Sequence, residues 1–213
     1  MKYLVAGMLS LGLVGCGSGD APEVRINHVA YSGTGCPADS AKVVLQNNRR
    51  TVSVLFDNAT YQAEAGLGTG ENGAGKKTGR AACDIAISLN IPSGYQAFLV
   101  GADFRGSVTL PIGAVAKFNR EYFFAGETSP ILTGVWEGDK FDEIITLSDD
   151  LYAESYSYSR CGEDVTLRSN TSVSIQVDDV NDDTASIQID SFDYANKEQR
   201  AELRYEFVYE QCS

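Results

Sequence analysis

Apolar and polar residues alternate with a period of two along most of the chain. The pattern is clearest in residues 51–57, 84–91, 117–124, 172–177 and 202–212. A strand points successive side chains to opposite faces of its sheet, so this pattern predicts strands with one buried face. The residues expected to face inward are Val52, Val54, Phe56, Ile85, Ile87, Leu89, Ile91, Phe118, Tyr122, Phe124, Val173, Ile175, Val177, Leu203, Tyr205, Phe207 and Tyr209.

Turn-forming residues separate these stretches, and no helical periodicity follows Asp20. Short strands at such spacing, without helices between them, are typical of sandwiches and barrels built from antiparallel strands. We therefore predict an all-β fold, an antiparallel two-sheet β-sandwich (jelly-roll-like) of about ten or more strands.

The start of the chain has a different pattern. A single charge, Lys2, precedes an apolar run over residues 3–14. That run is shorter than the roughly 20 residues that span a bilayer, and it is typical of a secretory signal peptide. The sequence Leu13-Val14-Gly15-Cys16 resembles a bacterial lipobox, a signal in which the cysteine becomes the lipidated first residue.

This leader defines the expected organisation and location of the protein. We predict a lipoprotein signal peptide over 1–15, the lipidated Cys16 with a flexible tether over 16–23, and a single β-sandwich domain over 24–213. The protein is expected to be exported and lipid-anchored to the cell envelope or cell surface. Gly17 follows Cys16 in place of the Asp that signals retention at the inner membrane, which favours the outer membrane.

The charge of the chain limits its partners. The formal net charge is −12 at pH 7, and loss of Lys2 with the leader makes it more negative by one unit. So acidic a domain repels phosphate backbones and anionic membrane surfaces. We therefore expect contact with a membrane through the lipid anchor only, a glycan or another envelope protein as further partner, and no nucleic acid.

Four cysteines remain besides Cys16, namely Cys36, Cys83, Cys161 and Cys212. An even number in an exported chain predicts two disulfides, for which three pairings are possible. The sequence has no C-x-x-C and a single histidine, His28, so neither a structural zinc site nor any other cofactor is predicted.

The glycine-rich segment 66–79, GLGTGENGAGKKTG, resembles a nucleotide-binding loop. Such a loop binds phosphate when its glycines lie between a strand and a helix, whose N-terminus faces the anion. Here the flanking patterns both predict strands. We therefore interpret the segment as a long flexible surface loop, with Lys76, Lys77 and Arg80 as solubilising charges.

Six stretches together resemble the secreted family known as domain of unknown function 4360, which occurs in fungi and bacteria. They are INHVAYSGTGCPADS (26–40), VLFDNATYQAEAG (54–66), RAACDIAISLNIPSGYQAFLVGADFRGSVTL (80–110), EYFFAGE (121–127), YSRCGEDVTLRSNTSVSI (158–175) and YEFVYEQC (205–212). The resemblance implies a disulfide-bonded β-domain of unassigned activity. It also implies the pairing Cys36–Cys83 and Cys161–Cys212.

The acidic segment 178–190 has some features of a calcium loop. Asp179, Asn181, Asp183 and Asp190 stand at positions 1, 3, 5 and 12 of such a loop, where oxygen ligands bind Ca²⁺. Thr184 replaces the turn glycine, however, and the flanking patterns predict strands. We therefore favour a hairpin with an acidic tip over a metal site.

Catalytic chemistry has little support in the sequence. Glycosidases use two carboxylates, but among 29 acidic residues the pairs Asp142/Glu143 and Asp149/Asp150 are better interpreted as exposed turn residues. A serine or cysteine nucleophile needs a base, and His28 lies in an alternating stretch that predicts a structural or surface role. No catalytic residue is assigned, and a non-enzymatic role is favoured.

Aromatic side chains are the remaining candidates for ligand contact. Trp136 lies beside turn residues, and Tyr152, Tyr156 and Tyr158 recur at even spacing. Aromatic residues in strands usually pack in the core, although an exposed Trp136 would suit a sugar ring.

The first functional hypothesis is a non-catalytic, surface-anchored binding or envelope-structural lipoprotein. The alternatives are a polysaccharide-acting hydrolase that uses paired carboxylates and a calcium-stabilised adhesin.

Overall fold

The computed structural model describes residues 22–47, 49–56, 61–138, 141–152, 158–162, 164–180, 183–189 and 203–212. This part of the chain contains twelve β-strands, one 3₁₀ turn (Glu71–Gly73), and no helix long and apolar enough to cross a membrane. The strands are β1 (Arg25–Ser32), β2 (Ala41–Leu45), β3 (Thr51–Phe56), β4 (Gln62–Ala65), β5 (Thr78–Asn90), β6 (Tyr95–Leu110), β7 (Val115–Phe124), β8 (Leu132–Glu137), β9 (Phe141–Asp150), β10 (Val165–Gln176), β11 (Ala185–Ile189) and β12 (Leu203–Gln211).

The strands form two antiparallel sheets. The five-stranded sheet has the order β1-β5-β10-β7-β8, and the seven-stranded sheet has the order β2-β3-β12-β6-β11-β4, with β9 also paired to β6. Strand β9 pairs with residues of β6 that also pair with β12 or β11, so it lies on the opposite edge of β6. This architecture confirms the prediction of an all-β, two-sheet sandwich.

Alternation of side chains accounts for the core between the sheets. Strand β10 buries every second residue from Val165 to Ile175, and β5 does the same from Ala81 to Leu89. All of the predicted inward residues whose side chains are described are buried, except Tyr209, which is partly buried against the core. At about 25 cal/mol per Å² of apolar surface removed from water, this shared core is the main stabilising term.

The core also contains tyrosines, whose hydroxyls meet small polar residues of β10. The Tyr61 hydroxyl donates to Thr171 Oγ1 at 2.7 Å, and Thr171 in turn donates to the carbonyl of Cys83 at 3.0 Å. Tyr205 is fully buried, and within the described residues neither its hydroxyl nor that of Ser169 has a hydrogen-bond partner. Thr171 therefore occupies a core position because it bonds to the Tyr61 hydroxyl and leaves room for the ring that carries it.

A buried ion pair joins the two sheets. Arg120 of β7 donates to both carboxylate oxygens of Asp149 on β9, from Nε at 2.7 Å and from a terminal guanidinium nitrogen at 2.8 Å. The Tyr122 hydroxyl donates to the same carboxylate at 2.7 Å, and Arg120 also donates to the carbonyl of Phe118. The two charged side chains are only 6% and 9% exposed. Paired and hydrogen-bonded charges of this kind are the ones that proteins tolerate in their interiors.

Both disulfides are present, with the pairing that the family resemblance implies. Cys36 pairs with Cys83 across 47 residues of sequence, and Cys161 pairs with Cys212 across 51. The first joins the segment after β1 to the inner face of β5, and the second joins the turn before β10 to the end of β12. In the loop-entropy model, each closure of this length stabilises the fold by about 4 kcal/mol.

The predicted hairpin over 178–190 is wrong. Strand β10 belongs to the five-stranded sheet and β11 to the seven-stranded sheet, so the acidic segment passes from one sheet to the other. Both strands bury alternate residues in the same core. The alternation is the same whether two successive strands pair side by side or face each other across a core, and for this reason the pattern did not distinguish the two.

The buried ion pair predicts a large difference between single and double substitutions. Arg120→Met leaves Asp149 buried without its cation, and we expect the free energy of unfolding to fall by about 3–5 kcal/mol. The double variant Arg120→Met/Asp149→Leu removes both charges and should recover much of that loss. Urea unfolding followed by circular dichroism measures both. The exposed Arg25→Met serves as a control and should unfold like the wild type. A single variant as stable as the double would contradict this interpretation.

The buried tyrosines predict a loss of stability in alkali. Burial raises the pKa of Tyr61, Tyr122, Tyr205 and Tyr209 above the ordinary value, and at Tyr122 the Asp149 carboxylate adds to the effect. Above about pH 10 the unfolded chain releases these protons while the folded chain keeps them, so the free energy of unfolding falls as pH rises. Urea unfolding from pH 8 to 11 tests this, and Tyr205→Phe should make the decline shallower. A decline equally steep in that variant would count against a contribution from Tyr205.

Candidate functional site

The segments proposed for export and anchoring lie outside the described residues. Residues 1–21, which include Cys16 and most of the tether, are not described. The lipoprotein signal therefore stays a prediction from sequence, and so does the domain boundary at residue 24.

The candidate calcium ligands are only partly described. Asp179 and Asp183 are exposed, whereas Asn181 and Asp190 lie outside the described residues. Among the described residues, no group of three or more His, Cys, Asp or Glu side chains is placed to hold a metal ion. The interpretation of the whole segment as a calcium loop remains untested.

The carboxylate pairs do not lie in turns, contrary to the prediction. Asp142, Glu143, Asp149 and Asp150 all belong to strand β9. Asp149 is buried in the ion pair with Arg120, and Asp142 accepts a hydrogen bond from Thr109 at 3.0 Å on the outer face of the seven-stranded sheet. The sequence around them is rich in polar residues because β9 lies at a sheet edge, where only some of its side chains are buried.

Trp136 does not form an exposed platform. It lies on β8 in register with the buried Ala116, and it packs partly buried against the core. Its ring lies over Gly134, where a Cβ atom would come within 2.9 Å of the indole. Among the described residues, Tyr152 and Tyr158 are the exposed aromatics, at 72% and 47%, and Tyr158 packs beside Phe98. Tyr156 lies outside the described residues.

His28 lies at the surface and the glycine-rich segment connects two strands, as their sequence patterns predicted. His28 is exposed on β1, opposite Ser88 of β5. The segment 66–79 runs from β4 to β5 with a single 3₁₀ turn, and Gly66 and Lys76 exchange backbone hydrogen bonds across its base. Arg80 does not belong to this loop: it lies in β5, and its description as a loop charge was wrong.

A groove lies on the outer face of the five-stranded sheet, and Arg80 is one of the residues that line it. Two hollows, of about 620 and 270 Å³, lie along this face, and Arg80 lines both of them. The larger reaches Gly113 and Asp178 at one end, and the smaller reaches Glu121 and Ile131 at the other. We call this continuous surface over β5, β10 and β7 the outer groove.

The outer groove is a ladder of polar side chains in register. Its central strand is β10, which lies between β5 and β7. From one end to the other, the cross-strand rows are Thr78–Gln176–Val115, Arg80–Ser174–Lys117, Ala82–Ser172–Asn119 and Asp84–Asn170–Glu121. From Thr78 to Asp84 the strand rises by roughly 20 Å.

Side-chain size explains why this face is concave. The middle rows have serines on the central strand, at 172 and 174, and Ala82 beside them. Longer side chains on β5 and β7 form the walls, and Ile131, which is 64% exposed, adds an aliphatic wall at the β8 side. The Asn170 amide donates to Glu121 at 3.1 Å, and Thr133 donates to the side-chain oxygen of Asn119 at 2.9 Å. These bonds hold the polar groups of the wall in fixed positions.

Sequence reasoning missed these groove residues. The alternation that predicts the core also predicts which residues face outward. Arg80, Ser172 and Glu121 stand at the outward positions of this alternation. The alternation does not reveal that residues near positions 80, 117 and 174 meet, because that depends on the order of β5, β10 and β7 in the sheet.

Comparisons with known proteins show the family to which the chain belongs. The model of a family described as domain of unknown function (DUF4360) matches residues 22–212. An "Uncharacterized secreted protein" of Arthroderma benhamiae is 32% identical over 169 residues, which cover 78% of this chain and 66% of that relative, slightly under two thirds of its length.

Two solved structures of carbohydrate-binding modules match the chain at low similarity. TmCBM61, in complex with beta-1,4-galactotriose, has a TM-score of 0.23 at 9% identity, over 87% of this chain and 90% of its own. The family 11 module of Clostridium thermocellum, in complex with a beta-1,3-1,4-mixed-linked tetrasaccharide, has a TM-score of 0.20 at 7% identity, over 78% and 86%. At these scores the likeness does not bear on the ligand of this chain.

Proposed function

The chain belongs to the DUF4360 family, and we propose that it is an exported, non-catalytic binding protein that holds an extended glycan in the outer groove. The observation that carries the proposal is the ladder of four cross-strand rows, mostly of polar side chains, across β5, β10 and β7. Export is supported by the leader sequence and by the secreted relative in Arthroderma benhamiae.

The chemistry of the groove suits a sugar chain. Arg80, Asp84, Asn119, Glu121 and Asn170 have planar polar groups that offer donors and acceptors in fixed directions. Pairs of neighbouring hydroxyls on a sugar ring match such groups, and the hydroxyls of the serine floor add further partners. Ile131 provides an aliphatic surface for the apolar face of a ring.

The shape of the groove favours a polymer over a small molecule. Sites for small molecules are usually enclosed, whereas the outer groove is open and carries charged and amide side chains over roughly 20 Å of strand length. An extended ligand can contact several rows at once, and each row adds a modest amount of binding free energy. A single sugar cannot contact all of the rows and therefore binds more weakly.

A polysaccharide hydrolase is the second candidate, because two carboxylates occupy the same groove. Asp84 and Glu121 lie in register on either side of Asn170, two strand spacings apart, or roughly 10 Å between Cα atoms. Inverting glycosidases place their carboxyl groups about 6.5–9.5 Å apart. Against this role, the Asn170 amide lies between the two and binds Glu121, and Asp84 is exposed.

Removal of polar groups at one end of the groove should weaken glycan binding. Asn170→Ala/Glu121→Ala deletes a cross-strand pair that would bind sugar hydroxyls, and we expect a loss of about 10-fold to 100-fold in affinity, from roughly two hydrogen bonds. The matched control is Thr109→Ala/Asp142→Ala, which deletes the corresponding pair on the outer face of the other sheet. The measurement is a glycan-array screen of the full chain, followed by calorimetry on each ligand found.

Binding that is lost equally in both double variants would place the ligand elsewhere. Silence of the wild type across the array would overturn glycan binding and leave a protein partner as the occupant. Shortening of a bound glycan, abolished by Asp84→Asn with binding retained, would convert the proposal into the hydrolase.

We also propose that Cys16 anchors the protein to the envelope. Cys16→Ser removes the only group of the lipobox that accepts lipid, so the protein should lose its label from radioactive palmitate and leave the membrane fraction. The control is Cys36→Ser/Cys83→Ser, which removes two other cysteines and their disulfide without affecting the lipobox, and it should keep the label. A Cys16→Ser protein that keeps the label would contradict the anchor.

A further inference from the structure

The larger hollow of the outer groove has two basic side chains opposite each other. Arg80 on β5 and Lys117 on β7 lie in the same cross-strand row, with Ser174 of β10 between them. Both side chains are exposed at the walls, and Ser174 is half-buried on the floor. Their Cα atoms are two strand spacings apart, roughly 10 Å, so both long side chains can reach one group bound above Ser174.

Neither of these two cations is paired with an acidic residue among those that the structure describes. The chain has 29 acidic residues against 17 basic ones. Even so, within the described part of the chain neither Arg80 nor Lys117 forms an ion pair. Among the residues that line this hollow, Asp178 is the acidic one, and its carboxylate lies against Gly113 at the end of the groove. In so acidic a protein, two facing cations that have no ion-pair partner within the described residues indicate a position for an anionic group of the ligand.

We propose that Arg80 and Lys117 bind the carboxylate of a uronic acid unit in a glycan that is otherwise neutral. This inference rests on the proposed glycan-binding function and specifies its substrate class. The guanidinium of Arg80 presents two parallel N–H donors that match a planar carboxylate. The ammonium of Lys117 and the Ser174 hydroxyl supply donors from the other wall and from the floor.

The distribution of charge around the hollow limits how many carboxylates the glycan carries. Asp84 and Glu121 line the neighbouring hollow, and the whole chain has a net charge of −12. A polyuronate would place further carboxylates beside these acidic residues, where like charges repel. A neutral backbone with isolated uronate substituents avoids this repulsion, because its uncharged hydroxyls donate to Asp84 and Glu121.

The test compares matched pairs of oligosaccharides, one neutral and one with a single uronate substituent, built on xylan, galactan and glucan backbones. Calorimetry on the full chain should show at least one pair in which the uronate member binds about 10-fold tighter. Arg80→Gln/Lys117→Gln should reduce the affinity for that member about 10-fold more than it reduces the affinity for the neutral member, because only the uronate loses a charge-assisted contact. Arg105→Gln/Lys42→Gln, which removes two exposed cations of the other sheet, is the control and should bind like the wild type.

Other outcomes would overturn the inference in distinguishable ways. Equal affinity of the wild type for neutral and uronate members would overturn the carboxylate site and leave the glycan-binding function intact. Tighter binding of a sulfated analogue than of the uronate, or of a polyuronate than of the isolated uronate, would overturn the assigned ligand chemistry. Equal losses in the Arg80/Lys117 and Arg105/Lys42 variants would assign the effect to net charge. Absence of binding to every glycan would overturn both proposals.

Discussion

The two-residue period of a β-strand ties the outer groove to the core. Val173 and Ile175 of β10 are buried between the sheets, so Ser172 and Ser174 must face outward and form the floor of the groove. A shift of one residue in the pairing of a strand would turn its core side chains outward and its groove side chains inward. The core and the groove would then be disrupted together. The apolar core therefore stabilises the fold and, through the same register, brings the polar rows of the groove into line.

The buried ion pair fixes the wall of the groove that β7 provides. Arg120 points into the sandwich and binds Asp149 on the opposite sheet, while its neighbours in sequence, Asn119 and Glu121, line the groove. A hydrophobic residue at position 120 could fill the same space, but it would not select one position of β7 relative to β9. We infer that the directional, bidentate bond holds β7 in place and with it the Asn119 and Glu121 side chains. The Cys36–Cys83 disulfide holds β5, the opposite wall, by its inner face.

Much of the fold could be predicted from the sequence, because alternation, turn residues and paired cysteines each report a local constraint. The sheet to which each strand belongs could not be predicted in this way. For this reason the connection from β10 to β11, which passes between the sheets, was predicted to be a hairpin. Polar residues inside the core were also difficult to predict. Arg120 lies between Phe118 and Tyr122 in the alternating pattern of β7, which predicts that it points inward. Its charge argues against burial, and the inward position was therefore not predicted. The groove depends on strand order, which joins positions near 80, 117 and 174, and no local pattern contains that information.

The central claim is that the ligand lies on the outer face of the five-stranded sheet. Amide chemical shifts of the isotopically labelled protein, recorded during titration with the best-binding glycan, test it most directly. The account predicts that perturbed amides fall within residues 78–84, 115–121 and 170–176, together with the side-chain amides of Asn119 and Asn170. Perturbations centred on β6 and β9, at the outer face of the seven-stranded sheet, would contradict it.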